Sequence, residues 1–130
     1  MKIKLNMTRQ QYQGVLTIAG NILRALEGED FETVQAGDAL CGLLLRGQQR
    51  LLLLKDRGNR LTLSDLEAVA LYNGATALAD RFLPYEYATA LWLLEQIDVQ
   101  RVEYLRRLRA AGLGRASRPS SYSGNPPLIG

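Results

Sequence analysis

The sequence predicts an all-α fold: four helices in one up-down, bundle-like domain, minor β elements at residues 2–5 and 50–63, and an extended C-terminal arm. Three observations lead there. Apolar residues recur three and four apart in four successive segments, the spacing of a helix with a buried face. Thr8 with Gln11, and Ser64 with Glu67, form capping boxes that mark helix starts. The 130 residues fit one domain and can build a core without disulfides or a structural metal.

Lys2-Ile3-Lys4-Leu5 alternates polar and apolar, as a short strand or extended arm does. Behind the Thr8 cap, Tyr12, Val15, Leu16, Ile18, Ala19, Ile22, Leu23 and Leu26 make one clean stripe. The first helix is therefore about residues 9–27, stopped by Gly28. Asp30 caps a second helix over residues 31–57, with Glu32 in its first turn, Lys55 and Arg57 near its end and Gly58 as its stop. This helix is apolar around more than half its circumference. Ala36, Leu40, Leu43, Leu44, Gly47, Leu51 and Leu54 form one face, and Val34, Cys41, Leu45 and Leu52 form a second. One face suffices for a four-helix core, so the second is expected to be an interface with another chain. Gly37, Gly42 and Gly47 each cost the helix about 1 kcal/mol. They favour a break near Gly47-Gln48-Gln49 over a groove for a crossing helix. The competing reading is a hairpin of residues 50–55 and 60–63 that pairs with residues 2–5; the helix preference of leucine favours the helix.

The third helix runs about 65–82. It too has two apolar sides: Leu66, Val69, Ala70 and Ala77 against Leu71, Ala75, Leu78 and Phe82. Pro84 fits the first turn of a fourth helix that ends near Ala111. Leu91, Leu94, Ile97, Val102, Leu105 and Leu108 define its expected packed arc, with Asp98, Arg101 and Arg109 in or beside it. The helical domain is thus residues 1–111. Residues 112–130 are rich in Gly, Ser and Pro, have no helical period, and form the arm.

Composition narrows function by exclusion. Without histidine the chain lacks the commonest general base and metal ligand. The single cysteine, Cys41, rules out an internal disulfide and fits a reducing compartment. Asp80 and Asp98 are the candidate carboxylates for a catalytic pair, and nothing in their spacing brings them together. No catalytic constellation, cofactor or metal is expected, nor a signal peptide or membrane span. The expected location is the cytoplasm, or a host cytoplasm or virion if the chain is viral.

A net charge of +3 is too small to mark a nucleic-acid binder. The charges are nonetheless segregated. Acids gather at Glu27, Glu29, Asp30, Glu32 and Asp38. Bases gather at Arg46, Arg50, Lys55, Arg57 and Arg60, and again at Arg101, Arg106, Arg107, Arg109, Arg115 and Arg118. Complementarity to the helix dipoles accounts for most of this. In an up-down bundle the ends of helices 2 and 4 would share one basic pole. The leading expectation is a non-enzymatic homo-oligomer, or a component of a larger assembly such as a virus particle or mobile element, with helices 2 and 3 as the interface. The alternative is capture of a nucleotide-like anion by Arg101, Arg109, Arg115 and Arg118 with Tyr122 and Asn125 of the arm. A nucleic-acid-binding accessory role is the third and weakest expectation.

Overall fold

A computed structural model of the chain describes residues 1–112. In order, these form β1 (Ile3–Met7), α1 (Arg9–Ala25), α2 (Phe31–Gln49), a 3-10 turn (Leu51–Leu53), β2 (Asn59–Leu63), α3 (Asp65–Ala77), a second 3-10 turn (Ala79–Arg81) and α4 (Pro84–Ala110). Four helices and one small sheet make this an all-α fold with minor β structure. Backbone packing divides the chain at Asp98: Met1–Asp98 form one unit, and Val99 begins a second.

The strands obey a period of two. Ile3, Leu5 and Met7 are buried while Lys4 and Asn6 face water, and β2 buries Asn59, Leu61 and Leu63. They pair antiparallel, with Ile3 opposite Leu63, Leu5 opposite Leu61 and Met7 opposite Asn59. That register puts every apolar side chain on one face, which lies on the helices. α1 starts as expected: Thr8 accepts from the Gln11 N–H, and the Gln11 side chain accepts from the Thr8 N–H. Its stripe of Tyr12, Val15, Leu16, Ile18, Ala19 and Ile22 is buried. α1 packs against both α2 and α3, which also pack on each other.

Two glycines allow these close approaches. A Cβ on Gly47 of α2 would lie 2.4 Å from a Leu16 methyl, and one on Gly74 of α3 would lie 2.4 Å from a methyl of Ile22. α4 reaches α1 where Gly14 faces Thr89, and reaches α3 where the Tyr72 hydroxyl donates to Asp98 at 3.2 Å. Gly74, next to Tyr72 on α3, lies against Ile22 near the end of α1. Within Met1–Asp98, the first half of α4 thus meets α1 at Thr89 and α3 at Asp98.

The second helix ends at Gln49, not at residue 57. Tertiary hydrogen bonds override leucine's helix preference here. The buried Asn59 side chain accepts from the Lys55 N–H at 2.8 Å and donates to the carbonyls of Lys55 and Met7. The chain must leave the helix to reach β1 and make these bonds. The hairpin reading was right that residues 60–63 form a strand paired with residues 2–5, and wrong about residues 50–55, which are a 3-10 turn and loop. The third helix stops at Ala77 rather than 82, where the Ala79–Arg81 turn takes over.

The face expected to pack on α4 is also corrected. The buried residues are Glu86, Ala90, Leu93 and Ile97, while Leu91, Val102 and Leu105 are exposed. The expected arc averaged over 27 residues and passed over a small Ala90 and a Glu86 whose carboxylate accepts from the Leu83 N–H at 2.9 Å, closing the helix start.

Candidate functional site

α2 carries the most informative surface. Leu40, Leu43 and Gly47 point into the core. On the opposite side Val34 is 50 % exposed, Leu45 63 % exposed, and Cys41 is an exposed free thiol. These are the residues that the sequence sets aside as surplus to one core. Phe31, 75 % exposed, extends the row at its start. At 100° per residue, Phe31, Val34, Asp38, Cys41, Leu45 and Gln48 fall within about a third of the circumference. Their spacing is 3, 4, 3, 4, 3, the spacing of a seam that packs against another helix. Asp38 and Gln48 are its polar members, and both are exposed. Leu52 lies beyond the helix in the Leu51–Leu53 turn and is 99 % exposed. On α3, Leu66, Val69 and Ala77 of one expected apolar side are exposed, but Ala70 of that side is buried, as are Leu71 and Ala75 of the other.

The end of α2 is fixed by Arg46. Its guanidinium donates to both Glu67 oxygens, at 2.5 and 3.1 Å, and to the Thr62 carbonyl at 3.1 Å. Glu67 is buried at the start of α3, where it also accepts from the Ser64 N–H. Burial pushes the Glu67 carboxyl up. The Arg46 and Ser64 hydrogen bonds, with the Arg46 charge, outweigh burial and hold it below the usual carboxylate value. The same pair raises the Arg46 guanidinium, chiefly through its hydrogen bond to Glu67. This side chain thus ties α2, β2 and α3 together, a role its place in a run of surface bases did not announce.

The residues expected to hold an anion do not converge within the described chain. Arg101 and Arg109 are exposed on α4, with no ion pair among the described residues. Glu103 instead pairs with Arg106 and Arg107, and its carboxyl is lowered first by the Arg106 hydrogen bond. Arg115, Arg118, Tyr122 and Asn125 lie outside the described residues. Asp98, expected to be costly on a packed face, is exposed and accepts from Tyr72. Among the described residues no cluster of His, Cys, Asp or Glu could hold a metal ion. No described helix is long and apolar enough to cross a membrane.

A convergence of bases does occur elsewhere. Arg50, Lys55 and Arg60 line a cavity of about 370 Å³ beside Tyr12. Burial raises the Tyr12 phenol, and the charges of Arg50 and Arg46 lower it. In sequence these bases read as helix-end charges; the turn and loop at 50–58 bring them to one cavity. Comparison with protein-family models, curated proteins and solved structures gives no match to this chain.

Proposed function

We propose that this chain is a non-enzymatic interaction protein that self-associates through the exposed stripe of α2, alone or within a larger assembly. The observation that carries this reading is a seam-spaced apolar row on the side of α2 away from its own core. Exposed apolar side chains are common singly; a row at helix-packing spacing is not.

A second copy of the chain is the natural occupant. The spacing 3, 4, 3, 4, 3 reads the same in both directions, so a two-fold axis matches the stripe to itself. The antiparallel register pairs Val34 with Leu45, Asp38 with Cys41 and Phe31 with Gln48. Gly42 beside the stripe has nothing within 4 Å, which leaves room for close approach. A stripe on one helix is small beside a standard interface, and two Asp38 carboxylates would flank the axis. The expected complex is a reversible dimer rather than an obligate one. Light scattering after size-exclusion chromatography tests it, together with a short bismaleimide on Cys41. The account expects mass rising toward twice 14.4 kDa with concentration and a Cys41-linked dimer. A monomer at every accessible concentration contradicts it.

A further inference from the structure

The cavity between the start of α1 and residues 50–60 is lined by three cations and no carboxylate. Arg50 follows α2, Lys55 lies in the loop and Arg60 in β2. None of the three has an ion pair among the described residues. Residues 113–130 contain no Asp or Glu, so the rest of the chain offers no side-chain carboxylate either. The loop's own acid, Asp56, is drawn to Arg9 at 3.4 Å and does not line the cavity.

Several surrounding acceptors are already engaged. The Leu54 carbonyl accepts from Arg9 at 2.9 Å, and the Lys55 carbonyl from Asn59 at 2.7 Å. The Gly47 carbonyl accepts from the Arg50 N–H and from the Tyr12 hydroxyl. What remains among the described residues is a set of cationic donors with no carboxylate to receive them. They also sit on pinned backbone: Asn59 fixes both N–H and C=O of Lys55, and β2 fixes Arg60. Three like charges around one cavity repel, and the repulsion is relieved by an anion.

We infer that the cavity lined by Arg50, Lys55 and Arg60 binds a phosphate group, either free phosphate or the phosphomonoester of a small molecule. Two guanidinium forks and one ammonium match a tetrahedral dianion. The volume exceeds a bare phosphate and falls at the small end of ligand sites.

The test is calorimetric titration of the full chain with inorganic phosphate and with adenosine monophosphate, at ionic strength held constant with sodium chloride. Saturable binding of phosphate is expected. A tighter fit for the monophosphate assigns the rest of the cavity to an ester, and equal affinity assigns the site to free phosphate. Lys55→Gln should weaken binding about tenfold, and adding Arg50→Gln and Arg60→Gln should abolish it. All three side chains are exposed, and circular dichroism checks that each variant is folded. Arg57→Gln, outside the cavity, should bind as the wild type does. Heats no larger than chloride gives, or equal loss in Arg57→Gln, overturn the site. So does an oligonucleotide that binds with a steep salt dependence where phosphate and the monophosphate do not.

Discussion

At the scale of single residues, Arg46 has the most to lose. Its partner Glu67 is buried, and a buried carboxylate stripped of its cation keeps its desolvation cost. Arg46 itself is 46 % exposed, so water screens part of the interaction. Arg46→Ala should cost about 1–2 kcal/mol at pH 7, read by urea unfolding. The sign of the pH dependence follows from the lowered Glu67 carboxyl. Its contribution is fully present above the unfolded carboxylate value, about pH 4.3, and is lost as pH falls through the lower folded value. The deficit of the variant should therefore shrink in acid; a deficit that persists unchanged below that value would assign it to packing. The glycines give a second contrast. Gly74→Ala drives a methyl into Ile22, a stiff β-branched side chain at the core, and should cost about 1–3 kcal/mol. Gly42→Ala meets nothing and should stabilise the helix by about 0.5–1 kcal/mol. Thermal melts of the two should move in opposite directions.

At the scale of elements, the informative one is the connection from α2 to β2. Asn59 is 7 % exposed and makes three hydrogen bonds to backbone. Asn59→Leu removes all three and leaves the Lys55 N–H and C=O without that partner, a loss of about 2–4 kcal/mol. Hydrogen exchange should show amides of residues 54–60 losing protection before those of α1. Legibility in the sequence divides at the same place. The start and packed face of α1 were readable because its cap and its single stripe agree, whereas the helix ends at Ala25 with Leu26 as its C-cap, ahead of the expected end at 27 and the Gly28 stop. The start of α3 was readable too, where Ser64 and Glu67 close a box. The end of α2 was readable only in part: the glycines favour a break near Gly47-Gln48-Gln49, where the helix does end, but Leu51 to Leu54 favour a helix locally and only a distant strand explains why they do not resume it. The packed face of α4 was missed for a related reason: Ala90 and Glu86 bury without looking like core residues.

At the scale of the whole molecule, Val34, Cys41, Leu45 and Leu52, the residues expected to form an interface, were visible in sequence as an excess of apolar surface, and all four are exposed. The coherent part of that surface is narrower than the four residues imply, because Leu52 has left the helix, and longer, because Phe31 joins it. The basic cavity was legible only as a run of charges, since its members meet through a turn and a loop that the sequence read as helix. Asp38 offers one further check on self-association. With two copies close to the axis, Asp38→Asn should tighten the complex several-fold while leaving thermal stability of the monomer within about 0.5 kcal/mol.

The most direct measurement is sedimentation equilibrium of the wild type beside Leu45→Glu and Leu43→Glu. Leu45 is exposed on the stripe, and Leu43 is buried in the core. The account predicts a folded Leu45→Glu that stays monomeric where the wild type self-associates, and a Leu43→Glu that loses its fold. A Leu45→Glu variant that associates as the wild type does would contradict it.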